Sequence, residues 1–204
     1  ELGIELKGNC RLILGTDEEC GSGDIGHYYD QVPEAPYTFS PDANFPCINI
    51  EKGSIKGWYH ASYPEMTALP RILSAKGGTK INVVPNKAEA VVEGLSQAEI
   101  RAVADEVTKD TGIAFTLSGE NPVTISVTGK DGHAAMPEHA NNAITGMLAL
   151  LTALPLADCE GVRKLRAFQK LYPHGDWSGL AAGIAMEDKE SGAMTSCLDL
   201  FSMD

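Results

Sequence analysis

The chain has 204 residues, 43% of them hydrophobic and 22% charged, and a formal net charge of −12. Such a composition is globular and excludes a disordered chain. Its acidity excludes a nucleic-acid binder and a protein that docks on anionic membranes, because nothing in it would displace counterions from phosphates.

No apolar run approaches the ~20 residues needed to span a bilayer, and the opening ELGIELKGNC has neither the basic nor the apolar region of a signal peptide. The five cysteines (Cys10, Cys20, Cys47, Cys159, Cys197) are odd in number, widely spaced and without a CxxC pair. Neither a disulfide framework nor a zinc knuckle is indicated, and a reducing cytoplasm is the expected setting. Both ends lie in strand-like patterns, so the chain reads as an internal fragment of a longer protein.

Taken in chain order, residues 11–14 form a short apolar run entering GTDEE. The carboxylates and the stretch up to residue 29 then have the composition of a helix start, giving strand, turn, helix. That places GTDEE at the carboxyl end of a strand, the edge of an α/β sheet where ligand groups gather. After a proline-rich loop over 32–46, CINIEKG and IKGWYHASY predict two strands separated by Gly53 and Ser54. SAKGG at 74–78 predicts a hinge or a close-approach loop.

Beyond it, strands are predicted over 79–84 and 88–93. A helix over 96–111 opens on Ser96 with Glu99 three residues later, the form of a capping box. Strands over 113–117 and 122–128 follow, the second alternating Val123, Ile125 and Val127 on one face, and 141–154 is a strongly apolar helix. This order predicts a two-layer α+β domain with helices on one face of an antiparallel sheet. Residues 162–172 predict a further helix, 180–186 a short helix or turn, and 195–201 a strand.

Four constellations could carry chemistry. Glu18 and Glu19 in GTDEE are adjacent carboxylates that repel each other unless a cation or a proton intervenes, although a helix start alone also favours such charge. Asp42 in SPDANFP is held in a loop stiffened by Pro41 and Pro46, where an aspartate is also an ordinary turn former. Glu19 and Asp42 offer oxygen ligands to metal ions, with Glu18 left as a base. That combination suits metal-assisted hydrolysis. His133 in GKDGHAAMPEHANNA sits in a glycine-flanked turn, either solvated or projecting a donor toward a reacting oxyanion. Asn82 in GGTKINVVP could present an amide to a substrate. His27, His60, His139 and His174 have no ligand-like spacing, and HExxH, GxSxG, Walker A and GxGxxG are missing from the sequence.

The series LILGTDEECGSGD, FSPDANFPCINIEKG, GGTKINVVPNKAEAVVEG and VTGKDGHAAMPEHANNAI resembles the dizinc exopeptidases, the family of glutamate carboxypeptidase, aminoacylase and carnosinase. SPDANFP followed by EKG is most similar to the PepV-type dipeptidase branch. The resemblance runs to about residue 154 and weakens afterwards. It implies a partial α/β zinc-peptidase catalytic domain over 1–73 and an α+β, ferredoxin-like lid domain over 74–204 that is incomplete at its C-terminal side. It further implies Glu18 as general base, Glu19 and Asp42 as ligands to different zinc ions, His133 as the lid histidine that stabilises the oxyanion, and Asn82 as a substrate contact.

A complete site would hold two zinc ions, with manganese or cobalt as substitutes. The HxD segment that family members carry upstream of the glutamate pair, and the histidine ligand near their C-terminus, are not identifiable in the sequence. The expectation is therefore a full-length metallopeptidase acting on dipeptides or short peptides, and a 204-residue piece that is catalytically inactive. The alternatives are an N-acyl amino-acid deacylase of the same family, and a non-catalytic binding or dimerisation module forming a homodimer through its lid sheet. Residues 161–204 have no functional reading beyond lid structure.

Overall fold

The computed structural model describes residues 3, 5, 7–18, 21–41 and 46–204. The chain divides into two compact units, 1–49 and 50–204.

Among the described residues of the first unit there is one short α-helix, α1 (Gly23–Tyr29), entered through the turn that follows GTDEE. The carboxylate of Asp17 accepts the Gly23 N–H at 3.0 Å and that of Asp24 accepts the Thr16 N–H, so acidic side chains serve the amides around the helix start. The turn and helix agree with the sequence reading; the strand does not. Residues 11–14 form no ladder, and Leu12 and Leu14 are each 82% exposed. Residues 47–63, expected to form two strands, are also irregular. A strand exists only where a neighbour takes up its N–H and C=O groups, and among the described residues neither segment has one.

The second unit is built on a five-stranded antiparallel sheet. Its strands are β1 (Arg71–Gly77), β3 (Lys87–Glu93), β4 (Ala114–Ser118), β5 (Val123–Thr128) and β9 (Phe201–Met203), in the order β4-β5-β3-β1-β9. Ala75 faces Ala90 across β1 and β3, and Ala90 faces Ile125 across β3 and β5. Alternation along β5 buries Val123, Ile125 and Val127, as the sequence pattern requires. A short ladder joins β2 (Val83–Val84) to β6 (Gly132–His133), and another joins β7 (Glu187–Asp188) to β8 (Gly192–Ala193).

Three helices complete the unit: α2 (Gln97–Thr111), α3 (Ala143–Ala153) and α4 (Glu160–Leu171). The expected capping box on α2 is formed in full. The Ser96 hydroxyl accepts the Glu99 N–H at 3.3 Å, and the Glu99 carboxylate accepts the Ser96 N–H at 2.8 Å. The hydrogen bonds from Ser96 hold the Glu99 carboxyl below its usual range. Helix α3 packs on β1, β3 and β5, with α2 and α4 against it. This is a mixed α+β unit, helices laid on an antiparallel sheet, as expected.

Several boundaries moved. SAKGG belongs to strand β1 and its end, where close approach is the operative feature. A side chain at Gly77 would meet Ile144 Cγ1 at 2.6 Å. Gly78 has φ +80° and lies so close to the segment entering β9 that a Cβ would overlap the Asp199 carbonyl oxygen. Of the strand expected over 79–84 only Val83 and Val84 pair, and the strand expected over 195–201 begins at Phe201. Of residues 180–186, 180–183 form a turn and 184–186 are irregular.

Gly78 therefore combines a left-handed backbone with a steric limit, whereas Gly175 at φ +87° has open space around it. Gly78→Ala is expected to cost about 2–5 kcal/mol in urea unfolding, and Gly175→Ala only about 1–2 kcal/mol. Equal losses at the two sites would show that backbone conformation alone accounts for Gly78.

Candidate functional site

Asn82 and His133 are far apart in sequence and are brought together by the β2–β6 ladder. Val83 faces His133, Val84 faces Gly132, and the Ala134 N–H donates to the Asn82 carbonyl at 2.9 Å. The patch continues in both directions. The Gly129 N–H donates to the Asn86 carbonyl at 2.9 Å, and Lys130 and Asn141 exchange N–H···O bonds of 2.8 Å each. The Ala143 N–H, at the start of α3, donates to the Pro85 carbonyl at 2.8 Å. Glycine makes this tight weave feasible: a Cβ on Gly132 would stand 2.9 Å from that of Ala140.

His133 is exposed on the turn that leaves β6. That turn is closed by the Met136 N–H on the His133 carbonyl at 2.9 Å, and the ring Nδ1 accepts the Ala135 N–H at 3.1 Å. Asn82 is half-buried at the entry to β2.

Glu18 lies in the first unit, exposed, in the turn where the Gly21 N–H reaches its carbonyl at 3.2 Å. Its neighbour Asp17 is engaged with the Gly23 N–H, leaving Glu18 as the described carboxylate of GTDEE that the turn does not use. Glu19 and Asp42, the expected metal ligands, lie outside the described residues. Among the described residues no three His, Cys, Asp or Glu side chains are grouped so that they could hold a metal ion. No helix among them is long and apolar enough to cross a membrane.

The sequence reading set His174 aside, and the structure gives it a place. A cavity of about 270 Å3 lies beside the N-terminus of α3, with Asn142, Thr145, His174, Trp177 and Cys197 in its wall. Asn142 caps α3 through Oδ1 at 2.9 Å from the Ile144 N–H, and its amide donates to the Leu198 carbonyl at 2.9 Å. The Thr145 hydroxyl lies 2.9 Å from His174 Nδ1 and 3.1 Å from the Asn142 carbonyl.

Burial pushes the His174 pKa down, and a hydrogen bond to the Thr111 carbonyl opposes that only in part. Burial, with Asp199 alongside, pushes the Cys197 thiol up, and burial also raises the Asp199 carboxyl. The Asn142 amide on the Leu198 carbonyl and the Thr145 hydroxyl on His174 fasten the segments around residues 174 and 198 to the head of α3. Nothing in sequence spacing announces the cavity, because its members are spread from residue 84 to residue 198.

Asp176 anchors the loop that follows. Burial acts to raise its carboxyl, but hydrogen bonds from the Ala181, Leu180 and Ser178 N–H groups and the Ser178 hydroxyl outweigh it and hold the pKa below the usual value.

Residues 117–173 match the M20 peptidase dimerisation domain. YtjP of Bacillus subtilis, which carries a provisional dipeptidase name, is 30% identical over 198 residues, covering 96% of this chain and 42% of that protein. The Beta-Ala-Xaa dipeptidase of Lactobacillus delbrueckii subsp. lactis is 24% identical over 206 residues, covering 100% of this chain and 43% of the relative. A Staphylococcus aureus protein, also with a provisional dipeptidase name, is 25% identical over 218 residues, covering 44% of its length. The chain thus spans less than half the length of these curated relatives. It is homologous to them throughout, and the ferredoxin-like α+β expectation for residues 74–204 agrees with the matched domain.

The depressed pKa of His174 fixes the sign of a pH effect. The unfolded chain takes up this proton near the ordinary value of about 6.5, while the folded chain resists it. The contribution to stability is complete above the unfolded pKa and declines as the pH falls below it. Between about pH 7.5 and 5.5, urea unfolding of the parent is expected to lose more stability than that of His174→Gln. A larger loss in the variant would contradict the buried, neutral imidazole.

Proposed function

We propose that the chain is part of a metal-dependent hydrolase of dipeptides or short peptides, working in the cytoplasm, with residues 1–73 contributing to the catalytic domain and 74–204 to the lid. The observation that supports the proposal is the β2–β6 ladder, which joins the main chains of the Asn82 and His133 segments in a chain homologous to dipeptidases. Glu19 and Asp42 would each hold one zinc ion, their carboxylate oxygens being suitable donors for a divalent cation, and manganese or cobalt could take the same positions. When bound, zinc would supply acidified water and polarise the scissile carbonyl.

Glu18 takes the proton of the attacking water on a carboxylate oxygen and returns it to the leaving amine. His133 donates a hydrogen bond to the oxygen that becomes negative as the amide carbon turns tetrahedral. Asn82 holds the substrate through its amide. Since the family's HxD segment and distal histidine are not identifiable here, the 204-residue chain by itself is proposed to be inactive.

An N-acyl amino-acid deacylase would use the same groups on a different amide. The second reading, a dimerisation module, is favoured by the name of the matched domain and by the position of β4 at the outer edge of the sheet. A homodimer through that sheet is compatible with the hydrolase reading.

The test is dipeptide hydrolysis by a version of the protein as long as its relatives. Glu18→Gln is expected to lower kcat about 10²–10⁴-fold with little change in KM. His133→Ala is expected to lower it about 10²–10³-fold. Full activity in Glu18→Gln would remove it as the base.

A further inference from the structure

A neutral imidazole has one N–H, and the nitrogen that carries it decides whether the other can act as base, metal ligand or hydrogen-bond acceptor. At His133 the main chain makes that decision. The Ala135 N–H donates to Nδ1 at 3.1 Å, which requires a lone pair on Nδ1 and so leaves the ring proton on Nε2. The donating amide is itself well held. Its turn is closed by the Met136 N–H on the His133 carbonyl, and the preceding Ala134 N–H is tied to the Asn82 carbonyl, both at 2.9 Å. The His139 N–H on the Met136 carbonyl at 3.2 Å continues the chain into a 3-10 turn, Pro137–His139.

We infer that the Ala135 main-chain N–H is a positioning group that locks His133 in the Nε2–H tautomer and so makes it a hydrogen-bond donor. This inference rests on the hydrolase reading for its purpose. The same geometry rules out two other roles for the ring. A general base acting through Nε2, or a metal ligand at Nε2, needs the lone pair there and the proton on Nδ1, which would set two N–H groups against each other at the Ala135 amide. In the common alternative a carboxylate accepts Nδ1–H and makes Nε2 basic; here an amide donor stands in that place and the polarity is reversed. His133 therefore suits an oxygen that gains negative charge, and the lock prepares that donor before any substrate arrives.

The experiment is long-range 1H–15N correlation on the 204-residue chain labelled with 15N-histidine, at about pH 9, well above the ordinary histidine pKa near 6.5. The signals among the five histidines are assigned by their loss in His133→Gln. The expected pattern is an unprotonated Nδ1 and a protonated Nε2. An Nδ1–H pattern, or the averaged pattern of an unrestrained ring, overturns the inference.

Because a free histidine already leans toward Nε2–H, the decisive comparison replaces the Ala135 amide by a backbone ester, which deletes the N–H and keeps the side chain. The His133 signals should then move toward the averaged position while those of the other histidines stay in place. Unchanged His133 signals overturn the lock. None of these readouts needs turnover, so a locked ring together with full dipeptide hydrolysis by His133→Gln in the longer protein would sink the catalytic reading and leave the lock standing.

Discussion

Helix α3 has almost no polar side to offer to water: eight of its eleven residues are buried. Each buried Ile, Leu or Met side chain of this kind contributes about 1.5–3 kcal/mol by leaving water, so the helix must sit between the sheet and its helical neighbours. Gly146 fits it to Ile113, where a side chain would meet Cγ1 at 2.5 Å. Everything fastened to the head of α3 takes its position from this burial. Asn142 caps it and reaches Leu198, the Ala143 N–H ties it to Pro85, and Asn141 bridges to Lys130. The β2–β6 ladder with Asn82 and His133 is thus carried on the most deeply buried element of the unit. The donor role proposed for His133 would need such a support, because a reacting oxygen must be met within about 0.5 Å.

The features legible in the sequence are those decided locally or by periodicity. Ser96 and Glu99 need only each other and two main-chain amides, and the capping box forms as read. Val123, Ile125 and Val127 announce a strand with one buried face, and the apolar run over 141–154 announces a core helix. The strands expected over 11–14 and 47–63 failed for the opposite reason. An apolar run becomes a strand when a partner edge is available, and a pattern within one segment does not report its partner. The shortened strands at 83–84 and 201–203 show the same limit, since pairing stops where the neighbouring chain turns away.

For the candidate site, the order of motifs was more informative than any motif alone. Asn82 and His133 are each weak signals alone, and the ladder joins their segments through the main chain. Glu18 is found in the expected turn before α1, but its roles and those of Glu19 and Asp42 depend on the proposal and not on the fold of the second unit. His174 has no ligand-like spacing to another histidine, so the sequence gives no signal for it. Its partners Thr145 and Thr111 lie on other elements and can be found only once the chain is folded.

Zinc binding by calorimetry, on this chain and on a version as long as its relatives, with dipeptide hydrolysis followed on both, tests the central claim most directly. The account predicts that only the longer protein binds two zinc ions and cleaves dipeptides. Failure of the longer protein to do either would contradict it and leave the dimerisation module as the better reading.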